Sequence, residues 1–573
     1  MNKHKQLSQE IRNISYSKLI KQKIVLMGLG KIQQDVEEFF FELNIAAYVE
    51  IEPQIASFAG RQVIDLNSLH KNVYREMVFV ICSFDGEAYI PTLRNSGVLF
   101  IELKDLLKYV DELETFRLIR RYPNKKVIVL GIGEYASKLM TENPNFDCAY
   151  FVCDNYAIQG TNHEFHGKPV YELEKLTDES KGNFVVVAAE PVSGVRKKQI
   201  TDMGFDFGSD FYFYNPHKPK KYPSYHLEKT MRDAPRFQLP CDFTKRALSI
   251  KHRGSIMACC SAVTLCFGSV IYTSLEEVTK SVAAQIVLLS INNRTYSFCN
   301  NLCQLYRETK YAIVSREDIQ SNPRKTFELP NISNFNIQLG YDRSCNLACP
   351  SCRNKKITSP EDPKEIVELI HEEAVRAARG GATPANIRIG NGELFMSKYY
   401  KDIILNVYEA ENISLITNGI LFSPAIWDKL KNRYKTISLS FSVDAAKQET
   451  YEKIRRGGDF NRLKQNLIFA GQLRRLGELK KLNLYFVIQK ENYAEMVHFI
   501  EFATSINTDK IFFMKINNFG HYSENEFIAI DVYSDKNPNH ADFVKLLDNT
   551  IFQSPNVHVD NIDNFISKTM SYG

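Results

Sequence analysis

The run Tyr341-Asp342-Arg343-Ser344-Cys345-Asn346-Leu347-Ala348-Cys349-Pro350-Ser351-Cys352 decides how this chain is read. Its three cysteines stand in a C-x3-C-x2-C spacing with no fourth cysteine nearby. Three thiolates in one short loop make an incomplete metal cage. A structural zinc site closes with four protein ligands, whereas a site built for chemistry keeps a position open. Cysteine thiolates also hold iron–sulfur clusters, where four ligands are usual, so a cluster on this loop exposes one iron. A zinc knuckle or plainly buried thiols are the alternative readings.

Working outward, a strand-like stretch, Phe335 to Leu339, leads into the loop. A helix signal follows, with Asp362 and Pro363 at its start and apolar Ile366, Val367, Leu369, Ile370 and Ala374 behind them. Next come IRIGNGE (387–393), ISLITNG (413–419), TISLSFSVD (436–444), ETYEKIR (449–455), LNLYFVIQKEN (482–492) and KIFFMKI (510–516). Most are β-branched or aromatic runs ending in polar residues or glycine, with helical patterns between them. That is the pattern of repeated βα units around a parallel barrel. In such barrels functional groups gather where the strands end, which is where these polar clusters lie.

The segment from about Asn334 to Gly520 resembles a radical S-adenosylmethionine (SAM) core. The resemblance rests on the cysteine triplet, GNGE in place of the family's GGE, LITNG, and SVDAAKQETYEKIRRGG (442–458). It implies a partial (β/α)6 TIM-like barrel and a 4Fe–4S cluster on Cys345, Cys349 and Cys352. The open iron is then chelated by SAM, and reductive cleavage gives a 5′-deoxyadenosyl radical that abstracts hydrogen. A reducing partner such as flavodoxin or ferredoxin is implied as well. The residue types suit that role. Gly390 and Gly392, flanking Asn391, let backbone approach closely. Glu393 offers an acceptor to the SAM ammonium, and Arg455 a forked donor to its carboxylate. Thr417 and Asn418 end their strand beside the same site. Ser442 and Asp444 are placed for ribose hydroxyls, Val487 and Ile488 for adenine, with Gln489 and Asn492 as polar options. One departure is Ser351, where the family often has an aromatic residue before the third cysteine.

A second cysteine group lies upstream, with Cys241, Cys259, Cys260 and Cys266 in 240–270 and Cys299 and Cys303 in SFCNNLCQLY (297–306). Two hairpin-like strands, RALSIKH and SIMACC, flank a turn at Arg253–Gly254. The pattern resembles the SPASM or twitch modules that carry auxiliary clusters, although those usually follow the core. The resemblance implies a second 4Fe–4S cluster on Cys241, Cys259, Cys299 and Cys303, with Cys260 as substitute for Cys259. A closed zinc site is the open alternative. Cys82, Cys148 and Cys153 sit in apolar strand-like runs and read as core residues.

The N-terminal third is a tandem repeat. KIVLMGLGKIQQ (23–34) and KVIVLGIGEYAS (126–137) are each a strand, a glycine turn (Gly28 and Gly30; Gly131 and Gly133) and a helix start. Each is followed by a strand ending in acid, at Glu50 and Glu52 and at Asp154. Two copies of one α/β unit are the economical reading. The acids stand where a dinucleotide fold puts its ribose-binding carboxylate, and a glycine turn opening a helix is an anion site. The third glycine of G-x-G-x-x-G is absent, with Gln33 and Ala136 in its place. The repeats resemble Rossmann-like modules of carbohydrate-modifying and nucleotide-sugar proteins. A binding or docking role is expected rather than hydride chemistry, with a nucleotide favoured for the second copy over the first and close strand–helix packing as the alternative reading of the glycine turns.

The chain of 573 residues is too long for one core. The expected order is Rossmann-like units at 1–115 and 116–215, a proline-marked linker at 216–240, the cysteine module at 241–330, the radical core at 331–530 and an extension at 531–573. The fold class is therefore α/β, the barrel being preceded by a small α+β module and two Rossmann-like units. A net charge of +5 does not mark a nucleic-acid binder. The polar N-terminus and the lack of a long apolar run indicate no membrane span and a cytoplasmic protein with reduced thiols. The leading expectation is hydrogen abstraction from a carbohydrate or nucleotide-sugar-like substrate, ending in epimerisation, dehydrogenation or rearrangement. The alternatives are a maturase acting on a ribosomally made peptide and a non-enzymatic metal-binding scaffold.

Overall fold

The computed structural model describes residues 16–69, 74, 76–82, 86–110, 113, 125–142, 148–154, 163–179, 181–215, 227, 230–231, 236–237, 247–258, 265–292, 295–299, 313–314, 336–353, 355–379, 388–389, 392–407, 412–518 and 521–560. The chain divides into two compact units. Met1–Arg246 with Ser255–Ile332 form the first, and Ala247–Gly254 with Ser333–Gly573 the second.

The first unit holds two six-stranded sheets. One is built from β1 (Lys23–Met27), β2 (Asn44–Glu50), β3 (Ser57–Phe58), β4 (Arg61–Asp65), β5 (Met77–Ile81) and β6 (Leu99–Glu102), in the order β3-β4-β2-β1-β5-β6. The other uses β7 (Lys126–Leu130), β8 (Tyr150–Cys153), β9 (Glu164–Phe165), β10 (Lys168–Glu172), β11 (Phe184–Ala188) and β12 (Phe211–Phe213), in the matching order β9-β10-β8-β7-β11-β12. All pairings are parallel except the small edge hairpins β3/β4 and β9/β10. With the short hairpin strands set aside, each order is that of a doubly wound sheet. The central strands are almost wholly apolar because helices cover both faces; β1 and β7 each bury their last four residues. The repeat seen in the sequence is thus matched strand for strand.

The expected cysteine module, 241–330, is shared between the units. Ala247–Ile250 (β13) belongs to the second, where it runs parallel to Asn336–Leu339. Ser255–Ala258 (β14) and Cys266–Ser269 (β15) form an antiparallel pair in the first. The apolar helix α1 (Val282–Asn292) follows them.

In the second unit, Asn336–Leu339 is β16, and it also runs parallel to β17 (Arg388–Ile389). A second parallel series has the order β18 (Asn412–Thr417), β19 (Thr436–Ser442), β20 (Lys481–Ile488), β21 (Lys510–Lys515) and β22 (Val557–Val559). Helices α2 (Phe460–Arg475) and α3 (Met496–Ser505) connect successive strands, as a βαβ path requires. Burial alternates along β20: Leu482, Leu484, Phe486 and Ile488 are buried, while Asn483, Tyr485 and Val487 are half-buried on the other face. On that face the rings of Tyr485, Phe512 and His558 stack across β20, β21 and β22, at 4.8 and 5.2 Å. Part of the expected C-terminal extension is therefore a strand of the sheet. Among the described residues no helix is long and apolar enough to cross a membrane.

Candidate functional site

The cysteine loop leaves β16 and is pinned by backbone. Cys345 N–H donates to Ile357 O at 2.7 Å, Ala348 N–H to Arg456 O at 2.9 Å, and Cys352 N–H to Cys349 O at 2.9 Å. Asp342 organises its entry, accepting from Ser344 N–H at 2.9 Å and from the Ser397 hydroxyl at 2.5 Å. Cys345 and Cys349 are buried and pack around Leu347, while Cys352 is exposed. Burial pushes the Cys345 thiol up against the pull of the Leu347 N–H and Arg353. It pushes Cys349 up against Arg455.

Each thiol meets one side-chain N–H donor. Asn418 Nδ2 lies 3.7 Å from Cys345 Sγ, Arg455 Nη1 3.8 Å from Cys349 Sγ, and Arg353 Nη2 3.4 Å from Cys352 Sγ. Asn418 and Arg455 come from distant parts of the chain, one after β18 and the other after the helix Gln448–Ile454. Arg353 is held by its own loop through the Arg343 carbonyl at 2.6 Å. Among the described residues no group of three or more His, Cys, Asp or Glu is arranged to hold a single metal ion.

The acids of the site are already bonded within the fold. Glu393 is 1% exposed. Its carboxylate accepts from Thr417 Oγ1 at 2.6 Å, Asn418 N–H at 2.7 Å and Phe395 N–H at 3.2 Å. Burial raises its pKa, and these three donors oppose the rise. Asp444 has a positive φ of 67°, a conformation that costs energy and clusters at functional sites. It accepts from Val487 N–H at 2.8 Å and pairs with Arg455 Nη2 at 2.7 Å. Burial raises the Asp444 pKa and Arg455 pulls it back. Burial opposes the Arg455 charge, but Asp444, Cys349 and Tyr451 outweigh it and hold the guanidinium above its ordinary value. Two buried atoms beside these groups, Arg455 Nε and the Tyr451 hydroxyl oxygen, have no hydrogen-bond partner among the described residues.

Residues 342–503 match the Radical SAM superfamily model. The chain therefore carries a radical SAM domain. Over 207 residues it is 28% identical to the GTP 3′,8-cyclase of Limosilactobacillus fermentum, covering 34% of this chain and 59% of the relative. Over 177 residues it is 28% identical to the probable GTP 3′,8-cyclase of Archaeoglobus fulgidus, covering 30% and 55%. The chain thus spans under two thirds of these relatives' own length. Among solved structures, SuiB of Streptococcus suis bound to S-adenosylmethionine is 13% identical over 39% of this chain and 49% of that one, with a TM-score of 0.28.

Within the radical SAM domain the expected site residues fall into distinct groups. Glu393, Thr417, Asn418, Asp444 and Arg455 form one hydrogen-bonded set with the cysteine loop. Ser442 and Val487 are half-buried at the ends of β19 and β20. Asn492, expected as a polar contact to SAM, is bonded within the fold. It is fully buried, donates to Asp444 O and Val487 O, and accepts from Gln489 N–H. Both its donors are thereby used, because a side-chain amide has only two. Gly392 is small for a reason internal to the fold, since a Cβ there would lie 2.6 Å from Asp342 O. Gly390, Asn391, Cys241, Cys259, Cys260 and Cys303 lie outside the described residues. Cys299 is half-buried, and Cys266 donates to Gly268 O at 3.3 Å.

The sequence reading missed Arg353 and Tyr451. The adjacency of Arg353 to Cys352 was a visible signal. The burial of Tyr451 had none beyond its apolar spacing from Ile454.

The two N-terminal glycine turns differ. Gln33 is buried and donates to Met27 O at 2.7 Å, and its amide stands 2.4 Å from where a Gly28 Cβ would lie. The side chain at the missing third-glycine position thus fills the first turn. In the second turn a Cβ at the equivalent Gly131 would meet backbone instead, 3.0 Å from Ala189 O, while nothing lies within 4 Å of one at Gly133. A cleft of about 430 Å³ in the second copy is lined by Asp154, Glu190, Ser193, Arg196 and Gln199, among others. There Arg196 binds both Asp154 oxygens, at 3.1 and 2.6 Å, and Glu190 at 2.7 Å.

Proposed function

We propose that Cys345, Cys349 and Cys352 hold the 4Fe–4S cluster of the radical SAM domain, and that SAM lies against the ends of the parallel strands. The observation that carries this is the meeting of each thiol with its own N–H donor. Buried thiols of a plain core have no need of such donors. When bound, the cluster supplies the electron that cleaves SAM to the radical that takes a substrate hydrogen.

In this reading the residues divide by what they have left to offer. Arg455 presents its Nε, without a hydrogen-bond partner among the described residues, to the SAM carboxylate, while Asp444 fixes the fork. Glu393 orients the Thr417–Asn418 turn and keeps part of its acceptor capacity for the ammonium. Ser442 and Val487 supply ribose and adenine contacts, with Gly390, Asn391 and Gly392 closing the methionine end. Asn492 joins the β19 and β20 ends through its two donors and keeps a lone pair of Oδ1 as its polar contact. We assign Cys241, Cys259, Cys299 and Cys303 to a second cluster, with Cys260 as substitute, and a flavodoxin or ferredoxin as electron donor.

For the substrate we propose a carbohydrate or nucleotide-sugar-like molecule. The paired doubly wound sheets support it, and the open crevice of the second copy offers a place for a ligand. The curated relatives are named for a nucleotide, GTP. Anaerobic, iron-loaded protein given reductant and SAM should release 5′-deoxyadenosine, and Cys345→Ala/Cys349→Ala/Cys352→Ala should not. No release from the wild-type protein ends the reading of the loop. A panel of deuterated nucleotide sugars should label 5′-deoxyadenosine; labelling from a deuterated peptide instead replaces the substrate class.

A further inference from the structure

Arg353 is 6% exposed, yet among the described residues it forms no ion pair with a carboxylate. Its polar contacts are the Arg343 carbonyl at 2.6 Å and Cys352 Sγ at 3.4 Å. A charge this deep is costly unless an opposite charge answers it. Other arginines of the same unit follow that rule: Arg474 holds Asp509 at 2.7 Å, and Arg455 holds Asp444 at 2.7 Å. For Arg353, the group within reach that can carry a negative charge is the Cys352 sulfur at 3.4 Å.

We infer that Arg353 is the built-in counter-charge of the cluster, and that with Asn418 and Arg455 it sets the cluster's reduction potential. This rests on the reading of the loop given above. The sulfurs become more negative when the cluster takes its electron. N–H donors and a fixed positive charge then stabilise the reduced form more than the oxidised one. Hydrogen bonds to sulfur, net charge and solvent exposure are the levers that set such potentials. The distribution of donors follows exposure. Cys352 is the thiol open to solvent, and it receives the shortest side-chain contact and a charged donor. Cys345, which is buried, receives a neutral amide at 3.7 Å and the Leu347 N–H at 3.4 Å. Arg353 is a positioning and tuning residue, since it reaches the electron only through sulfur.

The test is an EPR-monitored redox titration of full-length, anaerobically reconstituted protein as wild type, Arg353→Lys and Arg353→Met. The triple cysteine variant gives the baseline for any other cluster. The midpoint should fall to more negative potential in Arg353→Met with iron content unchanged, and Arg353→Lys should lie between. A midpoint equal to wild type in an iron-replete Arg353→Met overturns the inference and leaves the reading of the loop intact. A wild-type protein with no cluster signal above the triple-variant baseline overturns both. Should Arg353→Met take up no iron, the Fe–S stretching frequencies of the wild-type cluster in H2O and D2O decide. A shift on deuteration supports N–H donors on sulfur, and identical spectra refute them.

Discussion

Asp444 and Arg455 meet at 2.7 Å with little water around either, the carboxylate side chain being 6% exposed and the guanidinium 12%. The pair joins the end of β19 to the cysteine loop, because the same guanidinium also reaches Cys349. Removing one partner strands the other charge. Such losses cost about 3–5 kcal/mol, whereas replacing both partners by apolar groups is often near neutral. Arg455→Met should therefore lower urea-denaturation stability by about that amount, and Arg455→Met/Asp444→Leu should recover much of it. Equal losses in both variants would show that the pair does not act as one unit.

Asn492 replaces backbone pairing where β19 and β20 end. Asn492→Ala leaves Asp444 O, Val487 O and Gln489 N–H without their partner. A buried group left unsatisfied costs about 1–3 kcal/mol, so the variant should lose at least that much. SAM affinity, measured by equilibrium dialysis, should fall as well, because Val487 and Asp444 lose their fixed geometry.

Gly392→Ala sets a Cβ 2.6 Å from Asp342 O and 3.1 Å from Ser344 O. Both are backbone atoms and cannot swing aside. The Glu393 N–H to Ser344 O bond, 2.8 Å here, must lengthen. Iron uptake on reconstitution should fall relative to wild type, while a surface control such as Gly477→Ala, with nothing within 4 Å of its added Cβ, should load normally despite its backbone strain.

His371 gives a pH signature. It lies between the Tyr341 hydroxyl at 2.9 Å and Asp402 at 3.2 Å. Burial lowers its pKa, and Asp402 only partly offsets this. A lowered pKa means the unfolded chain binds the proton more readily. Stability from this site is complete above the ordinary histidine value of about 6.5 and is lost as pH falls through that value and the folded one. The thermal midpoint should drop more steeply between pH 7 and 5 in the wild type than in His371→Gln. Parallel curves would remove His371 from the account.

Much of the second unit was legible before any tertiary information. The alternation in LNLYFVI became the alternating burial of β20. The runs ISLITNG, TISLSFSVD, LNLYFVIQKEN and KIFFMKI became four successive parallel strands of one sheet. Strand boundaries there are written by side chains that repeat every second residue. The third-glycine positions were legible only as departures. That Gln33 bends back into its own turn depends on side-chain direction, which spacing does not carry. The assignment of 247–250 to the second unit was hidden for another reason. Its partner strand lies some ninety residues on (the Ser249–Gln338 side-chain bond spans 89), and a four-residue apolar run fits a hairpin or a parallel edge equally well.

By itself the sequence determined the chemistry available: three thiols at fixed spacing, a glycine–acid strand end, an arginine after a short helix, and two copies of an α/β unit. Those are local facts, set by neighbours within a few residues. Which donor answers which sulfur was decided only in three dimensions. Asn418 reaches Cys345 across 73 residues of chain, and Arg455 reaches Cys349 across 106. Parallel strands connected by helices bring such distant ends to one side of the sheet, and only that closure shows which polar groups are spent within the fold and which remain to bind.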